Sequence, residues 1–361
     1  MVSALLPWFA ANARDLPWRR EPYCRDPYLI AVSEYMLQQT QVKTVIPFWE
    51  RWLRQLPTIE AAAKAPPDKI HKLWEGLGYY TRVRNLQKAV QVIAEKHGGR
   101  FPQQFEAVLA LPGIGRYTAG AICSIACNQP TPILDGNVIR VLTRIFGIAE
   151  NPKEKRTNAR LWKLAEELVF HASRITHHET KPRTRTNDEE DCCSHLNQSL
   201  MELGALVCTP RNSKCLICPV KKMCVAFRKS RVEVLPNLGQ RENATARRFI
   251  AFVIGRDGKY LVRQRPAGVV NAHLWEFPNV EANGNQTGTN EIFKSEFRFA
   301  APEISPLVTV KHSITRYRIT LEAFAVRLNQ SPAKAAGIWK TPAQMRALAF
   351  ASAHRKILNR I

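Results

Sequence analysis

Residues 111–121 read LPGIGRYTAGA. A proline precedes two glycines spaced two apart, and an apolar helical run follows. Without a Cβ, Gly113 and Gly115 let the main chain come close to a ligand, and the N–H groups at a helix start attract anions. Taken alone, G-x-G fits a plain turn between helices. Periodic apolar segments on both sides, and the basic character of the whole chain, favour a hairpin between two helices that grips a nucleic-acid backbone without reading its sequence. One residue inside the run stands Tyr117, whose purpose the rest of the chain must explain.

The chain has 361 residues, enough for two or three domains, and 45% are apolar. Lys and Arg number 53 against 30 Asp and Glu, a net charge of +23. Such an excess calls for a polyanion, because neutralised phosphates release their counterions; an anionic membrane surface is the competing partner. No run approaches the ~18 apolar residues that a spanning helix needs, and MVSALLPWFAANARDLPWRR lacks a basic leader before its apolar stretch. The expectation is therefore a cytoplasmic, nucleoid-associated protein with no membrane role, acting as a monomer. In that setting nine cysteines point to metal or packing before disulfides. Cys123 and Cys127, at i and i+4 of an apolar helix, read as small buried hydrophobes.

Up to about residue 227 the pattern is helical, with three- and four-residue apolar spacing over 28–39, 66–75, 84–97 and 136–146. Residues 228–246 are polar, basic and broken by Pro236 and Gly239, as a linker is. From 247 to 361 the character changes: FIAFVIGRDGKYLVRQR gives two β-rich runs around Asp257–Gly258, a hairpin signal, and RYRITLEAFAVRL (316–328) gives another strand. Helical stretches near 289–298 and 341–360 complete a small α+β domain, and EANGNQTGTN (281–290) reads as a mobile loop. HASRITHHETKPRTRTNDEEDCCSH (171–195) is charged and aperiodic and reads as a disordered insertion. The competing metal reading, from His177, His178, Cys192, Cys193 and His195, is the weaker, since adjacent cysteines are poor ligands for one ion.

Cys208, Cys215, Cys218 and Cys224 have the spacing C-x6-C-x2-C-x5-C. Four thiolates that close can surround one centre. A single C-x2-C pair flanked by longer gaps suits a cubane iron–sulfur cluster better than zinc, which usually shows two such pairs. Lys214, Lys221 and Lys222 crowd the same loop. Two carboxylates also stand out. Glu34 lies in SEYMLQQTQV among apolar neighbours, where desolvation raises a carboxyl pKa toward what a general acid needs. Asp135, in ILDGNVIRVL, opens a helix, where N-capping is the ordinary role.

SEYMLQQTQV, LWEGLGYYTRVRNL, LPGIGRYTAGAI, ILDGNVIRVL and the four-cysteine loop, in that order, resemble the adenine DNA glycosylases of the MutY type, within the wider endonuclease III-like helix–hairpin–helix family. The resemblance covers about 1–230 closely and the remainder loosely. It implies a mostly α, two-lobed fold over 1–227, with a six-helix core at about 28–135 and a cluster domain from 1–27 and 136–227. A C-terminal α+β Nudix-like domain would occupy 247–361. It implies a [4Fe–4S] cluster on Cys208, Cys215, Cys218 and Cys224, and an adenine flipped out of double-stranded DNA, because its glycosidic bond is unreachable in the stack. By the same analogy Glu34 protonates the departing base and helps activate water, while Asp135 stabilises the oxocarbenium-like sugar, electrostatically or covalently. Asn137 and Tyr117 orient those groups. Trp18, Arg19, Leu37, Val42 and Gln198 match positions around the adenine, Gln38 and Thr40 belong with the DNA-binding residues, and Gln39 and Tyr79 match residues that wedge into the duplex.

Bifunctional relatives carry a lysine where Tyr117 stands, and its amine forms an imine with the sugar. A tyrosine cannot, so the expectation is a monofunctional glycosylase acting on adenine opposite 8-oxoguanine or guanine. The C-terminal domain lacks the G-x5-E-x7-R-E-x2-E-E helix of Nudix hydrolases, which makes it a binding domain by this reading. In the family, a loop of pattern F-x-H-x-F-S-H reads 8-oxoguanine; here 310–316 are VKHSITR. His312 is kept, Ser313 adjoins it and Thr315 retains a hydroxyl, whereas Val310, Ile314 and Arg316 depart from the pattern. Two other readings stay open: a bifunctional pyrimidine glycosylase/lyase, which Tyr117 opposes, and a non-catalytic DNA-binding iron–sulfur sensor, which Glu34 and Asp135 oppose.

Overall fold

The computed structural model describes residues 1–178, 191–240, 243–282, 288–299, 301, 303–328 and 337–361. The chain divides into two units, Met1–Lys64 with Asn85–Arg241, and Ala65–Arg84 with Glu242–Ile361. In chain order the helices are α1 (Val2–Asn12), α2 (Pro27–Leu37), α3 (Val42–Gln55), α4 (Ile59–Lys64), α5 (Pro67–Trp74), α6 (Thr81–Lys96), α7 (Phe105–Leu109), α8 (Arg116–Cys127), α9 (Gly136–Phe146), α10 (Lys155–His178), α11 (Cys192–Leu206), α12 (Val225–Arg228), α13 (Thr289–Phe297), α14 (Pro342–Ala347) and α15 (Ser352–Leu358).

Among its described residues the first unit has helices and no strand, as its apolar spacing predicts. Asp26 starts α2 by accepting from the N–H groups of Tyr28 (2.8 Å) and Leu29 (3.3 Å), with Pro27 preset for the first turn. Every side chain from Tyr28 to Met36 is buried, so α2 runs through the interior with no solvent face. Between α7 and α8 lies the glycine turn. Gly113 has φ +75°, and a Cβ there would sit 2.5 Å from Cβ of Asn85, so both backbone and space demand glycine. At Gly115, by contrast, a Cβ would meet nothing within 4 Å, so packing does not explain this glycine.

Helix α9 starts on Asp135 and stops at Gly147 in the left-handed conformation. Its Val138, Val141, Leu142 and Ile145 join Val2 and Leu5 of α1, Leu161 and Val169 of α10, and Leu196, Leu200 and Leu203 of α11 in one core. Each aliphatic side chain fully buried there contributes about 1.5–3 kcal/mol. Residues 171–178 and 192–195, read from sequence as irregular, are helical, while 179–190 lie outside the described residues. Cys192 and Cys193 are buried in the α11 part of this core. Charge density hid the helix ends: the apolar residues that mark α11 begin only at Cys192.

The second unit carries a seven-stranded mixed sheet of β1 (Thr245–Arg256), β2 (Lys259–Gln264), β3 (Trp275–Glu276), β4 (Asn279–Glu281), β5 (Ile304–Ile314), β6 (Tyr317–Arg327) and β7 (Ile338–Lys340). The order is β3-β2-β1-β6-β5, with β4 on β1 and β7 on β2. β1 and β2 turn at Asp257–Gly258 as the sequence signals, and β1 pairs in parallel with β6 from Thr245↔Tyr317 to Gly255↔Arg327. Alternation along β1 serves both faces. Ile250, Phe252 and Ile254 pack with Ile292 and Phe293 of α13, and Ala251 and Val253 pack with Ala353, Ile357 and Leu358 of α15. The mobile loop expected at 281–290 lies partly outside the described residues, and its ends form β4 and α13. Among the described residues no helix is long and apolar enough to cross a membrane.

Candidate active site

One cavity of about 990 Å3 in the first unit collects residues that lie far apart along the chain. The 3-10 turn Pro17–Arg19 supplies Trp18 and Arg19, α2 supplies Glu34 and Leu37, and the turn after α2 supplies Gln38, Gln39 and Thr40. Val42 comes from α3, Tyr117 from α8, Asp135 and Asn137 from the start of α9, and Gln198 from α11. Gly113 and Gly115 are exposed on the hairpin, outside the cavity lining. Tyr79, His312, Ser313 and Thr315 belong to the second unit.

Glu34 is 5% exposed, and its Oε2 accepts a hydrogen bond from the Tyr117 hydroxyl at 2.8 Å. Burial pushes its pKa up to about 7; repulsion from Asp135 adds to the rise, and the Tyr117 bond and Arg19 charge oppose it. The Tyr117 hydroxyl, itself buried, is held far above its ordinary pKa and so remains a donor. Asp135 both caps and faces the cavity. Its Oδ1 accepts from the Val138 N–H at 2.7 Å and its Oδ2 from Asn137 Nδ2 at 2.9 Å. Burial raises the Asp135 pKa against those bonds. The capping role that sequence assigns to an aspartate here is therefore real, and compatible with a second one.

The surroundings hold residues that the sequence reading passed over. Glu202 of α11, 1% exposed, accepts from Arg14 Nε (2.7 Å), Arg14 Nη2 (2.9 Å), the Arg14 N–H (2.9 Å) and Arg19 Nη2 (3.1 Å). Burial would raise its pKa, but the Arg14 bonds and the Arg19 charge prevail and hold it at about 2. Arg19 Nε in turn donates to Gln198 Oε1 at 2.8 Å. Tyr35, next to Glu34, donates to the Pro112 carbonyl at 2.6 Å. So α2 and the glycine hairpin are pinned twice, by Tyr35 in one direction and Tyr117 in the other. A glutamate inside the apolar run of MELGALV was the available signal for Glu202, the same kind that singled out Glu34.

Behind Asp135, Arg140 donates from Nη2 to Asn137 Oδ1 and to the Gly204 carbonyl, both at 2.8 Å, and from Nε to the Cys208 carbonyl at 2.7 Å. One turn further along α9, the buried Arg144 donates to Cys208 Sγ (3.4 Å), the Thr209 carbonyl (2.7 Å) and Ser213 Oγ (2.8 Å). The helix that begins at the acidic site thus ends against the cysteine loop. Cys208, Cys215, Cys218 and Cys224 line one small cavity there, and none is in a disulfide. Among the described residues no three of Cys, His, Asp and Glu are grouped as ligands of a single ion.

In the second unit, His312 and Ser313 lie near the end of β5, paired with Ile319 and Arg318 of β6, and Thr315 sits in the connecting turn at φ +51°. His312 Nδ1 is buried with no hydrogen-bond partner among the described residues. Val310, one of the departures from the family pattern, is a core residue of the sheet.

Both parts of the chain are matched among known proteins. Residues 32–167 match the HhH-GPD superfamily of base excision DNA repair proteins, and residues 250–360 match the NUDIX domain. A solved structure of a thermostable thymine-DNA glycosylase is similar at TM-score 0.52 and 30% identity, over 63% of this chain and 95% of that one. The chain is thus a DNA N-glycosylase with a C-terminal Nudix-like domain. The adenine DNA glycosylase of Mus musculus is 33% identical over 92% of this chain and 72% of its own length, and that of Homo sapiens is 32% identical over 98% and 72%. The chain belongs to the adenine DNA glycosylase family, which works in base excision repair.

Proposed function

We propose that this enzyme hydrolyses the N-glycosidic bond of adenine mispaired with 8-oxoguanine or guanine in double-stranded DNA, without cutting the strand. The observation that carries this reading is a buried Glu34 whose pKa of about 7 makes it a proton donor at neutral pH, bonded to Tyr117 where an imine-forming lysine would stand. Glu34 delivers its proton to N7 of the flipped adenine as the C1′–N9 bond breaks, and the bonding pair leaves with the base. Asp135, held by Asn137 and the α9 N-terminus, faces the sugar as positive charge grows on it, an electrostatic complement to the transition state. Glu34, now a carboxylate, takes a proton from the water that adds to C1′. Trp18, Arg19, Leu37, Gln38, Thr40, Val42 and Gln198 form the base pocket. Gln39 and Tyr79 fill the gap in the duplex, and the exposed Gly113 and Gly115 meet the phosphate backbone.

Cys208, Cys215, Cys218 and Cys224 are the residues that would hold a [4Fe–4S] cluster. Four free thiols around one cavity, with the Arg144 guanidinium on one of them to offset thiolate charge, fit such a group. When bound, the cluster supplies cross-linking of the loop that Arg140 ties to Asn137. In the C-terminal domain His312, Ser313 and Thr315 face the base opposite the adenine, and the unpaired buried Nδ1 of His312 supports a ligand-seeking role.

The test uses an end-labelled duplex with adenine opposite 8-oxoguanine and protein in excess. Strand breaks only after hot alkali are expected. Breaks without alkali, trapped by borohydride, would establish a lyase and remove the monofunctional reading.

A further inference from the structure

Residues 65–84 lie inside the span matching the glycosylase superfamily, yet they group with the C-terminal domain as part of the second unit. Their last part, EGLGYYTR (75–82), presents Tyr79. Gly76 at φ +111° and Gly78 at φ +73° take the left-handed region freely, but Tyr79 at φ +47° does not, since a side-chain-bearing residue there is strained. Tyr79 stays 44% exposed, with the Arg82 guanidinium 5.6 Å from its ring, and Arg82 Nη2 also holds the carbonyls of Leu77 (3.0 Å) and Gly78 (3.1 Å). The turn is braced from within, and its base is anchored elsewhere.

That anchor is Glu75. Its Oε1 accepts from the Phe350 N–H at 2.9 Å and from Arg355 Nε at 2.7 Å, and its Oε2 accepts from Lys72 at 2.6 Å. Lys72 also donates to the carbonyls of Arg346 (2.6 Å) and Leu348 (3.1 Å). The side chains of Glu75 and Arg355 are 14% and 19% exposed, so the pair is shielded from water rather than a loose surface contact. On another side, Arg84 donates to the Ala272 carbonyl at 3.1 Å and His71 stacks on His273.

We infer that the C-terminal domain positions the Tyr79 turn through Glu75, with Arg355 as the positioning residue, so that duplex wedging depends on the Nudix-like domain whatever base stands opposite the adenine. The inference rests on the proposed wedging role of Tyr79. Because the anchor never touches the opposite base, loosening it costs the same on both mispairs. A lesion-reading residue would behave differently, affecting 8-oxoguanine alone.

The experiment is a double-mutant cycle in the full-length protein with Arg355→Gln and Tyr79→Ala, read as DNA dissociation constant and single-turnover excision rate on A:8-oxoG and A:G duplexes. Arg355→Gln is expected to weaken binding roughly tenfold on both. The double variant should be no worse than Tyr79→Ala, and Arg355→Lys should recover part of the loss. Losses that multiply, a loss confined to 8-oxoguanine, or a lowered melting temperature with unchanged binding would each overturn the inference while the wedge reading stands. Tyr79→Ala without effect would overturn the wedge reading, and the inference with it. If Arg355→Gln does not fold, Lys72→Met removes the contacts to residues 346 and 348 and carries the same expectations.

Discussion

Two buried glutamates line the same cavity and end at opposite extremes of acidity. Glu34 and Glu202 both sit on helices among apolar neighbours, 5% and 1% exposed, and burial pushes both toward the neutral form. Glu34 has one neutral donor, Tyr117, and a like charge in Asp135, and its pKa stands at about 7. Glu202 has two guanidiniums and is held at about 2. Burial therefore does not make an acid catalyst; burial without a cationic hydrogen-bond partner does. One end of the cavity is kept protonatable and the other permanently charged, and Arg19 lies between them, touching Glu202 and drawing down Glu34 only through space.

Glu34→Gln breaks the comparison at its sharpest point. Loss of the proton donor should lower single-turnover excision by about 10²–10⁴-fold, while the same change should stabilise the protein. The folded pKa of Glu34 is raised, so the folded state holds its proton where the unfolded chain has released it. Stability is then lost as pH rises from 4.5 through about 7, to an extent of about 3 kcal/mol. Glutamine removes that cost. The variant should melt higher than the parent at pH 7.5, with the difference gone near pH 4. Equal melting temperatures at pH 7.5 would mean that Glu34 is not held in its protonated form.

Glu202→Gln should do the reverse. Arg14 and Arg19 would be left without their counter-ion, and breaking a buried pair costs about 3–5 kcal/mol at neutral pH. The folded pKa of Glu202 is depressed, so its contribution is present above 4.5 and is lost as pH falls through about 2. Chemical denaturation against pH checks this: parent and variant curves should converge in strong acid and part above pH 4.5. Parallel curves would show that the Arg14 and Arg19 contacts act as neutral packing.

The difference between the two glutamates was half visible in the sequence. Glu34 was legible because its apolar neighbours lie beside it in SEYMLQQTQV, and the hairpin was legible because the turn chemistry of LPGIG is local. Glu202 shows the same apolar surroundings, but its partners Arg14 and Arg19 are remote in sequence, and nothing along the chain announces that they meet. Remote pairing also hid the attachment of 65–84 to the C-terminal domain, since Lys72 and Glu75 look like ordinary surface charges on a short amphipathic helix. The start of α11 was masked for a different reason: a charged composition before Cys192 overrode a weak apolar period. Local turn and cap signals are written along the chain, whereas ion pairs closed by the fold are not.

Tyr117→Phe makes the smallest change and asks what a neutral donor does for an acid. The lost O–H bond costs Glu34 its one hydrogen-bonded stabilisation of charge, so the Glu34 pKa should rise above its present value of about 7. The alkaline limb of the single-turnover pH–rate profile should then move to higher pH, since the protonated acid persists longer. The plateau rate should fall by about tenfold, the cost of one buried hydrogen bond that fixes the carboxyl in place. A limb that stays put while the rate falls would reduce Tyr117 to an orienting group with no part in setting acidity. A limb that moves down would mean that the hydroxyl stabilises the protonated form instead. The upward shift is what the observed bond predicts: the Tyr117 hydroxyl stays protonated and donates to Glu34 Oε2, and a donor to that oxygen favours the carboxylate.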